Sequence, residues 1–183
     1  MPSLSGSGFS KGKPQLLVLW HHEASHTLTG CGSRDLLGRE LTAFFASRQC
    51  PGAAIRAAMD WALQQARAKR AVVSGFHSPL EQSVLKVLMA AGSPAVVVLA
   101  RPVQGAKLPP EWAESLAKGR MAVVSAVAIA GRLTQPLANE RNALVAQLAQ
   151  KIVVAHASPG GALAGQLTQW RLGGLPAEEL SAG

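Results

Sequence analysis

The chain is expected to fold as a single α/β domain, a doubly wound parallel sheet with helices on both faces. Three observations predict it. Short apolar runs bounded by turn residues recur along the chain, and they are continuous rather than alternating, as in strands buried on both faces. Between them lie segments whose apolar residues are three and four apart, the spacing of amphipathic helices. The junctions from strand to helix carry Gly, Pro or Ser, and the last of them, Ser158-Pro-Gly-Gly161, opens a helix with no side chain guarding its first amides.

Residues 1–40 read as an N-terminal arm. Residues 1–14 are rich in Ser, Gly and Lys and predict a flexible tail, and residues 15–20 are apolar enough for a short strand. His21, His22, Glu23 and His26 offer imidazole and carboxylate groups, both metal ligands, but their spacing matches no H-E-x-x-H pattern, so a solvated segment is expected. Residues 29–33, Thr-Gly-Cys-Gly-Ser, read as a turn.

From residue 41 to residue 172 the alternation predicts the domain proper. Residues 41–46 form the first strand, which closes on Ser47-Arg-Gln-Cys-Pro-Gly52. A helix over 53–69 follows, with Ile55, Ala58, Met59, Ala62, Leu63 and Ala66 as its apolar stripe. Residues 71–74 make the second strand. Ser78 then serves as N-cap with Pro79 at the first helical position, and Glu81 lies in the first turn of a helix that stops at Gly92. Strands are expected at 95–100 and 121–126, separated by a short helix over 110–118. Residues 129–136 read as an irregular crossing and 137–149 as a helix. Residues 152–155 form the last strand, and Ala162, Leu163, Gln166, Leu167 and Trp170 mark the last helix. The segment 173–183 shows no closing strand and reads as a C-terminal tail.

Composition narrows the function classes. The 183 residues suffice for one domain with a sizeable core, and 48% hydrophobic residues argue against disorder. No apolar run approaches the roughly 20 residues needed to cross a bilayer, and the N-terminus lacks a signal-peptide plan, so no membrane partner and a cytoplasmic location are expected. Cys31 and Cys50 form no C-x-x-C pair, which supports neither zinc nor a disulfide framework. A net charge of +8 favours a polyanionic partner. Tyrosine is absent and aromatics make up only 4%, so an aromatic platform for stacking unpaired bases is not expected.

In a parallel sheet the ligand crevice lies beyond the carboxyl ends of the strands. The loops at Ser47, Gly75, Arg101 and Ser158 would share that edge. Gly160 and Gly161 are either a cradle for phosphate at a helix N-terminus or plain turn glycines. Cys50 and Gly52 sit before a helix, where a thiol pKa is lowered, yet Cys50 has no committed His partner and reads equally as a packed loop residue. His77 and His156 end strands and could donate to phosphate or brace a neighbouring loop. Arg141, with Asn142 beside it, is the best charged candidate because its planar fork suits phosphate; its alternative role is an ion pair with Glu140 or Glu81. Glu81 has no second carboxylate to work with, so catalysis is not expected. Trp20, Trp61, Trp112 and Trp170 have apolar neighbours and read as packing residues.

With these loops in view, residues 71–170 resemble the Rossmann-type domain of the DNA-processing protein A (Smf) family. The resemblance rests on Val73-Ser-Gly75, on Glu140-Arg-Asn142 with Leu144 and Leu148, and on Ile152-Val-Val-Ala-His-Ala-Ser158 running into Gly160-Gly161. Stand-alone relatives of that family share Cys50-Pro-Gly52, Gly75-Phe76-His77-Ser78-Pro79 and Leu108-Pro-Pro-Glu-Trp112. The resemblance implies a domain that binds nucleotide or single-stranded DNA, with a homodimer as the usual pairing and, in full-length members, recombinase loading. Two departures bear on that last role: Phe76-His-Ser-Pro79 replaces the family's Ala-x-Gly-Ile-Asp type of sequence, and Ala143 stands where its second Arg belongs. Phosphoribohydrolases of the "lonely guy" type share the superfamily, but Ala162-Leu-Ala-Gly-Gln166 lacks their Gly-Thr pair and catalytic Glu.

Three functions therefore compete. The first is a binding domain that holds a nucleotide or single-stranded DNA by its phosphates. The second is an enzyme acting on a nucleoside phosphate, and the third is a nucleotide sensor. No cofactor is demanded beyond a nucleotide ligand.

Overall fold

The computed structural model describes residues 18–23 and 27–180. In chain order the elements are β1 (Trp20–Glu23), β2 (Thr27–Gly32), β3 (Leu41–Phe45), α1 (Gly52–Arg67), β4 (Ala71–Ser74), α2 (Pro79–Ala90), β5 (Ala95–Val98), α3 (Ala113–Ala117), β6 (Met121–Ser125), α4 (Gln135–Leu148), β7 (Lys151–Val154), α5 (Ala162–Leu172) and β8 (Ala177–Glu179). The strands form one sheet in the order β1-β2-β6-β5-β4-β3-β7-β8. From β6 through β8 every neighbouring pair is parallel, while β1 and β2 add to the β6 edge as antiparallel strands.

Strands β4, β5 and β6 are buried at every residue, as their uninterrupted apolar runs require. Alternate side chains serve opposite faces. Phe44, Val72, Val97 and Val153 pack with Trp61 and Ala62 of α1 and with Leu80, Val84 and Leu88 of α2. Ala43, Phe45, Val73, Val96 and Ile152 pack with Leu144 and Val145 of α4 and with Leu167 and Trp170 of α5. Two stacked pairs anchor the layers: Phe44 lies 5.0 Å from Trp61 and Phe45 lies 4.7 Å from Trp170, centroid to centroid. Truncating either phenylalanine to alanine costs about 3–5 kcal/mol on the usual scale for buried aromatics.

The path of the chain places the crevice. From β3 it winds outward through β4, β5 and β6, then α4 carries it back so that β7 pairs with β3 on the opposite side. The winding reverses between β3 and β7, and the helices that follow these two strands, α1 and α5, go to opposite faces of the sheet.

Several expectations need correction. The N-terminal arm contributes two strands, and the supposed turn at residues 29–33 lies largely in β2. Its glycine serves packing: the Trp20 indole lies directly over Gly30, where a Cβ would collide with the ring. Residues 1–17 and His26 fall outside the described residues. Among the described residues no group of three metal-ligating side chains comes together. At the other end β8 pairs with β7 and extends the sheet. Its three residues were illegible as a strand because two are glutamates, held by Lys151–Glu178 at 3.0 Å and Arg171–Glu179 at 3.5 Å.

The buried stripe of α1 is also rotated from the expected one. Trp61 and Ala54 are buried while Ile55 and Leu63 are 42% and 43% exposed, because stacking on Phe44 turns the Trp61 side of the helix inward. Helix α2 begins as expected: the Ser78 hydroxyl accepts the Glu81 amide, and the Glu81 carboxylate accepts the Ser78 amide. Helix α4 starts two residues earlier than the pattern indicated, with the Thr134 hydroxyl accepting the Leu137 amide at 3.4 Å. No helix among the described residues is long and apolar enough to cross a membrane.

Candidate functional site

At the switch point a crevice of about 480 Å³ opens beyond the carboxyl ends of β3, β4 and β7. Ser47, His77, Ser78, Arg141, Asn142 and Ser158 line it, so six of the residues singled out in the sequence converge. The loops after β3 and β7 are tied to each other. The Ser47 hydroxyl accepts the Ser158 amide at 2.8 Å, and the Ser47 amide donates to the His156 carbonyl at 2.9 Å.

The first turn of α5 forms one wall, through Ala162 and Leu163. Its N-cap is Gly161, no side chain caps it, and no acidic residue occupies its first turn. The leading amides of a helix have no intrahelical partner, and they carry the positive end of the dipole. Gly160 turns the chain into this position with φ of +71°, a conformation that a side chain would strain.

Two guanidinium groups face the same space. Arg48 is exposed in the loop after β3. Arg141 is half-buried and lies over Gly75, where a Cβ would come within 2.6 Å of its Nε. Its Nε and terminal nitrogen donate to Asn142 Oδ1 at 3.3 and 3.1 Å, and the Asn142 amide in turn donates to Gln166 Oε1 at 3.0 Å. Burial lowers the Arg141 pKa and the nearby Glu81 charge opposes that shift, leaving an always-protonated guanidinium. Arg141 is absent from the ion pairs among the described residues, so Glu81 acts on it as a field and not as a partner.

Glu81 is the one carboxylate in the lining, and its oxygens are engaged. It accepts the amides of Ala46 at 3.1 Å, His77 at 2.8 Å and Ser78 at 3.2 Å. Burial pushes its pKa up against the opposing pull of these donors and of Arg141. Its place is structural: it registers the loop after β3 against the loop after β4. His77 is exposed, and its pKa is lowered by partial burial, then by Arg141 and Arg48.

The remaining candidates are placed differently. Gly75, Phe76 and Arg101 line an adjoining cleft that shares His77 and Arg141 with the crevice. Gly160 and Gly161 shape the turn behind the crevice wall. Cys50, Gly52 and His156 lie outside both linings. The Cys50 thiol donates to the Ser47 carbonyl at 3.2 Å, and burial together with the Glu81 charge pushes its pKa up, opposite to the helix-start expectation. His156 offers its carbonyl to Ser47 and so braces the loop. Arg48, Thr134 and Gln135 are lining residues that the sequence reading missed. Arg48 was detectable as the one cation in the first post-strand loop; the other two are brought in only by the path of the crossing before α4.

The fold and crevice define the class: a doubly wound, Rossmann-like α/β domain with its open edge at the β3/β7 switch point. The chain belongs to the DNA recombination-mediator protein A family, whose profile matches residues 10–169. No curated protein matches it. Among solved structures it is similar to DNA processing protein A from Streptococcus pneumoniae, at 17% identity and a TM-score of 0.69 over 84% of this chain; it spans about half of that protein, 54%. It is also similar to DNA processing protein A from Helicobacter pylori, described in its single-stranded DNA binding mode, at 12% identity and a TM-score of 0.72, covering 90% of this chain and 81% of that one. A molybdenum cofactor carrier protein from Chlamydomonas reinhardtii shares the fold at 13% identity and a TM-score of 0.53, with 77% and 76% of the two chains covered.

Proposed function

We propose that this chain binds single-stranded DNA by its phosphates in the crevice at the β3/β7 switch point, with residues 41–172 as the binding domain. One observation carries the reading: the uncapped first turn of α5 converges with Arg48 and Arg141 on a space whose single carboxylate is occupied by amides. An anion there meets backbone N–H groups from one side and guanidinium forks from the other. The Ser47 and Ser158 loops set that spacing, and His77 stands at the rim as a further donor. Family membership and the single-stranded DNA binding mode of the Helicobacter relative support the same partner.

Binding is preferred to turnover because the two groups the sequence offered for chemistry are committed elsewhere. Glu81 is consumed by loop amides, and the Cys50 thiol is pushed towards its neutral form.

Fluorescence anisotropy of a labelled oligothymidylate across a salt series tests the proposal. If Arg48 and Arg141 neutralise two phosphates, affinity falls about sevenfold between 50 and 200 mM salt. Absence of binding at low salt, or affinity indifferent to salt, refutes it.

A further inference from the structure

On the far side of Arg141 from the α5 terminus, the ends of β4 and β5, helix α2 and the loop 101–112 enclose the adjoining cleft, also about 480 Å³. That volume is in the range of small-molecule sites, about 300–1,000 Å³. Its inner wall is hydrocarbon: Val98, Leu85 and Phe76 are buried, and Met89, Leu99 and Trp112 are half-buried with one side on the space. Its mouth is cationic. Lys86, Arg101 and Lys107 are exposed around it, against one carboxylate, Glu111. The Arg101 guanidinium donates to the Lys107 carbonyl at 3.4 Å, which holds two of these cations on one loop.

The backbone adds an independent sign. Phe76 has φ of +46°, a left-handed conformation that is strained for a bulky side chain. The Ser74 hydroxyl holds it there by accepting the Phe76 amide at 3.1 Å, and the ring is thereby delivered to the cleft wall. With Trp112 also in the lining, the cleft combines the Phe76 and Trp112 rings with an apolar interior and a positive entrance. Neutral apolar ligands would leave the cations unused, and cationic ligands would be repelled by them.

We propose that this cleft is a second binding site, for a small organic anion with a flat aromatic body. The ring lies on the apolar wall bearing Phe76 and Trp112, and its phosphate or carboxylate faces Lys86, Arg101 and Lys107. Ring plus anion has two sources, a free mononucleotide or the terminal residue of a nucleic-acid strand. The site adjoins the phosphate crevice and shares His77 and Arg141 with it, but Phe76, Trp112 and these three cations line the cleft and not the crevice.

The test uses the full chain and the probe 8-anilinonaphthalene-1-sulfonate. One saturable site per chain is expected, with enhanced fluorescence and a raised melting temperature, as for a ligand of the native state. Lys86→Glu/Lys107→Glu, altering two exposed side chains, should weaken the probe at least tenfold, and Trp112→Ala should weaken it independently of charge. Non-saturating binding, or binding unmoved in both variants, overturns the proposal. Displacement by deoxyadenosine monophosphate identifies a free ligand, and displacement by an oligonucleotide alone identifies a strand terminus. Displacement by neither, with the variants still losing the probe, assigns the cleft to aromatic anions other than nucleotides. The crevice is read separately through Arg48→Ala: strand binding lost there with the probe retained refers to the crevice, and the reverse pattern to the cleft.

Discussion

The Ser47 hydroxyl accepts the Ser158 amide at 2.8 Å across 111 residues of sequence. This bond spans the point where the sheet's winding reverses, and it fixes the loop that carries Arg48 against the turn that opens α5. Glu81 does the same between the loops after β3 and β4, joining Ala46 to His77 and Ser78. Two short side chains thus register three loops, and the cations and free amides of the crevice inherit their spacing from that registration.

Glu81→Ala should be among the most destabilising changes near the crevice. It strands the Ala46, His77 and Ser78 amides in a largely dry setting, a loss of about 2–4 kcal/mol. Glu81→Gln keeps the volume and one acceptor oxygen while turning an N–H₂ towards donors, so its loss should be intermediate. Urea denaturation of the two variants measures both; equal stability of all three proteins would show that the amides find other partners.

Gly75 and Arg141 should behave as one unit. Arg141→Ala removes the proposed phosphate ligand, with about a tenfold loss of DNA affinity and a salt slope reduced by about 0.7. Gly75→Ala leaves backbone conformation permitted but drives a methyl into the Arg141 Nε, so it should displace the guanidinium and lose comparable affinity. The double variant should then be little worse than either single one. Additive losses in anisotropy titrations would mean that Gly75 acts by another route.

Gly161→Asp should separate stability from binding. The extended backbone at this N-cap suits Asp, and a carboxylate there satisfies amides of the first turn, but its Cβ would press on the Ser158 carbonyl oxygen at 3.1 Å, so the two effects offset and stability should change little. The same carboxylate occupies the proposed anion position, so DNA affinity should fall by tenfold or more. A variant that keeps both its stability and its affinity would place the phosphate elsewhere.

The pH dependence should run in opposite directions for folding and for binding at His77. Its folded pKa is lowered by burial and by Arg141 and Arg48. Below the ordinary value of about 6.5 the unfolded chain takes up a proton that the fold resists. The contribution is therefore full above that value and is lost as pH falls through the folded pKa. A bound phosphate reverses the local field and favours the imidazolium, so DNA affinity should rise on acidification from pH 7.5 to 6. His77→Gln should flatten both profiles, and NMR titration of the His77 ring should report a pKa that climbs when the oligonucleotide is added.

Local pattern carried the parallel sheet, its helices and six residues of the crevice lining. Strands such as Ala95–Val98 are apolar throughout, the Ser78 cap is legible within four residues, and Pro159-Gly-Gly161 announces an open helix end. These features arise from neighbours in sequence, where periodicity and capping chemistry act. Assembly settled what such neighbours cannot encode. Strand β8 is a strand because β7 offers it an edge, and β2 because β6 does. Glu81 became a brace between distant loops, and Arg141 reached the crevice because Gly75, 66 positions earlier, leaves room for it. Each of these outcomes depends on groups far apart in the chain meeting in space, and hydrogen bonding, burial and steric exclusion act only after that meeting.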